Sequence, residues 1–200
     1  MNPWSGLMIS VAVLAGGSST RFFVNKLFYP FKGRPLIMYI IERLGLCRNV
    51  MKVIAIASPY NVHNLVDLGV ETVVDNLCIG PIGGIYIATK MFSRVLVIGG
   101  DMPNISCSYI EKIDELCGED AYACIPTWGG VYMEPLAAIY TNKIIDIIEY
   151  GIASTEYSIQ RLLRKLKVDV QFIHIDTELS EYREVFRSIN TLEDVEETMG

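Results

Sequence analysis

Val11-Ala12-Val13-Leu14 and Val95-Leu96-Val97-Ile98 are uninterrupted apolar runs, with no polar residue at alternate positions. A strand with one wet face would alternate. These strands must therefore be covered on both sides, which a mostly parallel sheet between layers of helices provides. Short apolar runs bounded by turn residues predict strands at Ile9–Leu14, Lys52–Ala57, Thr72–Val74, Arg94–Ile98, Ala121–Ile125, Leu136–Tyr140 and Gln171–His174. Helical spacing falls between them, at Pro35–Leu46, Asn61–Leu68, Gly83–Met91, Ser106–Cys117, Asn142–Tyr150, Glu156–Leu166 and Leu192–Thr198. Pro35 suits a first helical turn, and Ser106 and Thr141 or Asn142 suit helix caps. Trp128-Gly129-Gly130 reads as a turn between short strands, inserted over the sheet edge. The expected fold class is α/β, a three-layer domain with a mostly parallel sheet flanked by helices.

No Pro/Gly/Ser-rich stretch divides the 200 residues, and 51% hydrophobic composition supports one core, so residues 8–200 are read as a single domain. Residues 1–7 are read as a disordered extension or a consequence of start-site choice, without function. A net charge of -6 argues against nucleic-acid binding, which needs clustered Lys and Arg. Cys47, Cys78, Cys107, Cys117 and Cys124 are odd in number, scattered and free of CxxC spacing, so neither a disulfide framework nor a zinc site is expected. The N-terminus has no basic region ahead of an apolar run, and no apolar stretch approaches a membrane span. A soluble, cytoplasmic protein without membrane contact is expected.

In an open parallel sheet, ligands bind beyond the carboxyl ends of the strands. The loops following Leu14 and Ile98 should therefore share one edge. The first carries Ala15, Gly16, Gly17, Arg21 and Lys26, and the second carries Asp101-Met102-Pro103. Consecutive glycines let backbone N–H groups approach an anion closely, although such a pair serves equally as a tight turn. There is neither a Walker A lysine nor G-x-G-x-x-G spacing. Asp101, directly after a buried strand, offers a hard oxygen suited to magnesium bridging phosphates; a turn or helix cap ahead of Pro103 is the other use of such a residue. His63 and His174 lie far from both loops in sequence, and no Ser-His-Asp order is evident.

Leu14-Ala15-Gly16-Gly17 with Arg21 and Lys26, followed by Lys32-Gly33-Arg34-Pro35-Leu36, resembles the LAGGxSxRmGxDK…GkpL signature of the sugar-nucleotidyltransferase-like superfamily. Gly80-Pro81-Ile82-Gly83-Gly84, Asp101-Met102-Pro103 and Asn190-Thr191-Leu192-Glu193-Asp194 are similar to the GPlaG, CDmP and NTpeDl motifs of molybdenum cofactor guanylyltransferases. The resemblance runs in order over nearly the whole chain. It implies a Rossmann-like fold of the nucleotide-diphospho-sugar transferase type. It also implies transfer of GMP from GTP to the terminal phosphate of molybdopterin, with pyrophosphate leaving. Leu14, Ala15, Gly16 and Gly17 would bind the triphosphate, Arg21 and Lys26 would neutralise it, and Asp101 would hold Mg2+. Asp75 would read guanine, beside Gly80 and Pro81. Glu134-Pro135-Leu136 and Ile189-Asn190 would carry the acceptor, and contact with other cofactor-biosynthesis or acceptor proteins would be transient.

The chain departs from that pattern in three places. Phe22-Phe23-Val24-Asn25 replaces the signature's glycine and aspartate, Glu134 stands where a histidine is usual, and Ser188 replaces an asparagine. Related activities share the first loop, namely cobinamide-phosphate guanylyltransferases, molybdopterin cytidylyltransferases and sugar-1-phosphate nucleotidyltransferases. A nucleotide-binding module without turnover is the other alternative.

Overall fold

β1 (Ile9–Ala15) is the strand around which the sheet is built. It pairs in parallel with β4 (Val50–Ala57) on one side and β6 (Arg94–Gly99) on the other. β5 (Thr72–Val74) extends the β4 side. Beyond β6 lie β9 (Ala138–Thr141), β7 (Ala123–Trp128) and β10 (Val170–His174), and β8 (Tyr132–Met133) is hairpinned onto β7. Only β8 and β9 run against the common direction of this sheet. Strand order reverses at β1, so a crevice is expected at the carboxyl ends of β1 and β6. The computed structural model describes residues 8–16 and 25–199. The suggested extension over residues 1–7, together with Gly17, Arg21, Phe22, Phe23 and Val24, lies outside the described residues.

The apolar runs are buried on both faces as their composition requires. Val11, Val13 and Ala15 face one helical layer, whereas Ala12 faces the other. The first layer holds α1 (Leu36–Gly45), α2 (Val62–Asp67), α4 (Cys107–Leu116) and α7 (Leu192–Met199); the second holds α3 (Pro81–Met91), α5 (Ile145–Ala153) and α6 (Ile159–Leu166). A small antiparallel pair, β2 (Pro30–Phe31) and β3 (Arg34–Pro35), precedes α1. Ser106 caps α4 as expected, its hydroxyl accepting from the Tyr109 N–H at 3.2 Å. Thr141 does not act as a side-chain cap, because its hydroxyl bonds the carbonyls of Ala121 and Tyr122. β7 begins and ends later than its apolar run suggested. Pro126 lies inside the strand, opposite Ile173 of β10, rather than ending it.

The cysteines correct one expectation. Cys47 is bonded to Cys107 and Cys117 to Cys124, leaving Cys78 as the free thiol. Sequence spacing concealed this because Cys47 and Cys107 are separated by 60 residues and meet only when α1 and α4 pack on one face of the sheet. The two bridges staple both ends of α4. Constraining a loop of that length in the unfolded chain stabilises the fold by about 4 kcal/mol in the chain-entropy treatment. The chain denatured without reductant is therefore expected to expose one alkylatable thiol, and Cys107→Ser to lower the thermal midpoint. Labelling of five thiols would contradict the pairing.

Candidate active site

At the carboxyl ends of β1, β4, β5 and β6 lies a cavity of about 520 Å³, lined by Leu14, Lys26, Asp75, Gly80 and Asp101 among others. That volume is in the range of small-molecule sites. Leu14, Ile56 and Leu136 make part of the lining apolar, and Lys26, Asp75 and Asp101 bring charged groups to it.

Lys26 and Asp101 are separated by 75 residues and form an ion pair at 2.6 Å, each side chain 20% exposed. Lys26 opens a short 3-10 turn after the first loop, and Asp101 follows β6 directly. The Lys26 ammonium also donates to the Ile189 carbonyl at 3.1 Å and to Asn190 Oδ1 at 3.0 Å. The Ile189 N–H returns a bond to the Asp101 carbonyl at 2.9 Å. Two distant segments thus converge on the Lys26 ammonium. Asp101 is no helix cap. Its Oδ2 faces Lys26, and among the described residues nothing donates to Oδ1. A Cβ at Gly99 would lie 2.6 Å from that Oδ1, so only glycine leaves room for the carboxylate there.

Asn190 owes its position to a cap at the start of α7. The N–H groups of Asn190 and Thr191 both donate to Asp194 Oδ2 at 2.7 Å, and the Asp194 N–H donates to the Thr191 hydroxyl at 3.1 Å. This is a capping box, and the Asn190 N–H foremost holds the Asp194 carboxyl below its usual range. The Asn-Thr-Leu-Glu-Asp motif is therefore a device for presenting Asn190 to Lys26.

Asp75 follows β5 and is buried. Its Oδ1 accepts from the Leu77 N–H at 2.9 Å and the Cys78 N–H at 3.3 Å, which fixes the carboxylate plane. Its Oδ2 lies against Gly83, where a Cβ would come within 2.8 Å. Gly80-Pro81-Ile82-Gly83-Gly84 is not a loop before a helix that starts at Gly83. Pro81 is the first residue of α3, with Gly80 as its cap. Gly83 and Gly84 are helical, and their missing side chains admit Asp75 and Leu14 respectively.

The first loop is tied down by a side chain that its own motif does not contain. Asn61 Nδ2 donates to the Ala15 carbonyl at 2.8 Å, Asn25 Nδ2 donates to Asn61 Oδ1 at 2.7 Å, and Asn25 Oδ1 accepts from the Leu27 N–H at 3.1 Å. Each amide orientation dictates the next, so a donor is required at position 25. Asn61 carries no motif of its own. The carboxyl-end rule applied to Leu14 and Ile98 would have flagged it after β4. The same holds for Ser58 and Tyr60, which line the cavity. His63 lies on α2 and His174 on β10, and neither lines the cavity.

Glu134 lies between β8 and β9, half-buried, with Oε1 accepting from the Trp128 indole N–H at 2.9 Å. Burial raises its carboxyl pKa, and the Trp128 bond opposes that shift. Among the described residues, no group of three or more His, Cys, Asp or Glu side chains is arranged to hold a metal. No helix among them is long and apolar enough to cross a membrane.

A family model described as a MobA-like NTP transferase domain matches residues 11–170. The chain is 38% identical over 185 residues to a protein of Thermococcus gammatolerans named a probable molybdenum cofactor guanylyltransferase, covering 92% of this chain and 95% of that one. It is 37% identical to a protein of the same name from Pyrococcus horikoshii, covering 94% and 98%. In fold it is similar to the crystal structure of molybdopterin-guanine dinucleotide biosynthesis protein A from Archaeoglobus fulgidus, with a TM-score of 0.81 at 23% identity over 96% of this chain and 97% of that one.

Replacing Asn25 by aspartate, the residue of the signature, should damage this chain. A carboxylate cannot donate to Asn61 Oδ1, which is buried, and would face it instead. Asn25→Asp is expected to cost about 1–3 kcal/mol in thermal or denaturant unfolding and to weaken nucleotide binding. Unchanged stability would show that the Asn25–Asn61 bond does not hold the loop.

Proposed function

The chain belongs to the MobA-like NTP transferase family and is a nucleotidyltransferase, and we propose that it transfers GMP from GTP to the terminal phosphate of molybdopterin. The observation that carries this reading is the Lys26–Asp101 pair in the lining of the cavity, a cation and a hard anion presented together where a triphosphate would bind. A phosphate oxygen of the acceptor attacks the α-phosphorus of GTP. The bond from that phosphorus to the bridging oxygen breaks, and pyrophosphate leaves in line. No side-chain nucleophile is needed, so the protein contributes position and charge neutralisation.

The backbone at Leu14, Ala15 and Gly16 borders the phosphates, with Gly17 and Arg21 of the same loop assigned to them from the motif. Lys26 neutralises the charge that builds on the leaving group. Asp75 suits the guanine edge, because a carboxylate accepts from both the amino group and the ring N–H, and its Oδ2 receives no bond from a described residue.

Asp101 Oδ1, in the space left by Gly99, is the oxygen that would hold Mg2+. Among the described residues no group of three or more His, Cys, Asp or Glu side chains surrounds it, so substrate phosphates and water would supply further oxygens, as is usual for this ion. When bound, the ion would neutralise phosphate charge. Lys26 and Asp101 would then part, the lysine turning to a phosphate.

Pyrophosphate release measured with each of four nucleoside triphosphates and molybdopterin should favour GTP. Preference for UTP with a sugar 1-phosphate would overturn the substrate assignment. Asp101→Ala is expected to lower kcat by about 10²–10³-fold, as for loss of one charge-stabilising group. An unchanged kcat would remove Asp101 from the reaction.

A further inference from the structure

β7 is antiparallel to β9, which is antiparallel to β6, so β7 and β6 point the same way. Trp128, at the carboxyl end of β7, therefore opens on the same edge as Asp101. Two strand spacings separate them laterally, about 10 Å. Glu134 is fixed beside the carboxyl end of β7, next to the cavity lining rather than in it. Its N–H donates to the Pro126 carbonyl at 2.8 Å, and the Trp128 indole holds its Oε1. Leu136, two residues on, lines the cavity.

The surroundings of Glu134 are aromatic. The Trp128 ring meets Phe186 edge to face at 5.9 Å between centroids, and Phe186 meets Tyr109 at 5.8 Å. Phe186 lies three residues before Ile189, whose N–H bonds the Asp101 carbonyl, so one short segment links the Trp128 ring to Asp101. Glu134 forms no ion pair among the described residues, and none of them donates to Oε2. A half-buried carboxylate held by one oxygen and open at the other is an acceptor awaiting a donor. The aromatic setting favours a flat ring as the source of that donor.

We propose that Glu134 binds the amino and ring N–H edge of the acceptor's pterin, with Trp128 acting as a positioning residue that holds the carboxylate in place. This rests on molybdopterin being the acceptor. The pterin's pyrimidine edge presents two adjacent donors, which suit the free lone pairs of one carboxylate. With the acceptor phosphate near Asp101 and Lys26, its fused rings would extend along the sheet edge toward β7. Guanine, at Asp75 on the β5 side, would lie in the opposite direction.

The test is steady-state kinetics of Glu134→Gln with each substrate varied in turn, alongside thermal unfolding. Glutamine retains an acceptor for Trp128 but cannot accept both pterin donors. The KM for molybdopterin should rise roughly ten- to hundredfold while the KM for GTP stays fixed. Glu134→Asp, which keeps the charge on a shorter arm, should recover part of the loss, and serves as the primary variant if the glutamine protein does not fold. GMP transfer by the unsubstituted enzyme with a molybdopterin KM unmoved by either variant would overturn the role of Glu134 alone. Absence of GMP transfer to molybdopterin by the unsubstituted enzyme would instead overturn the acceptor assignment, and this proposal with it.

Discussion

The ion pair between Lys26 and Asp101 is the interaction on which the site depends, because it gathers the ends of segments that are otherwise unrelated. Lys26 belongs to the turn after β1, Asp101 to the turn after β6, and Ile189 and Asn190 to the stretch before α7. Partly buried ion pairs seldom add much net stability once desolvation is counted. The value of this one lies elsewhere: it places two charges of opposite sign at a topological switch point, the Lys26 ammonium held by the Ile189 carbonyl and Asn190 Oδ1 and the Asp101 carboxylate held by Lys26.

Several glycines follow from that requirement for close approach. Gly99 leaves space for the Asp101 carboxylate and Gly83 for that of Asp75, while Gly84 lets α3 close on Leu14. Two of these three lie inside a helix, where glycine costs roughly 0.5–1 kcal/mol relative to alanine. Packing explains why the cost is tolerated. The same economy is seen at Asn25 and Asn61, which set the Ala15 carbonyl through a chain of amides.

Much of this is legible in the amino-acid sequence. Continuous apolar runs identified the strands of a doubly covered sheet, and the carboxyl-end rule brought Leu14 and Asp101 to one edge. Contacts between remote positions were not legible. The Cys47–Cys107 bond depends on two helices sharing a layer, and the role of Asn61 depends on which carbonyl lies opposite it. The motif ending at Asp194 is visible in the sequence by resemblance, whereas its physical meaning, a capping box that presents Asn190, lies in the hydrogen bonds. The apolar run Ala121–Ile125 places β7 too early, because the strand continues through Pro126 and Thr127 to Trp128.

The central claim is that Lys26 and Asp101 exchange one another for the two halves of a metal–triphosphate. A crystal structure with Mg2+ and a non-hydrolysable GTP analogue tests it directly. The account predicts Asp101 in the coordination shell of the metal and the Lys26 ammonium moved onto a phosphate oxygen. Phosphates seated elsewhere, with the Lys26–Asp101 pair intact, would contradict it.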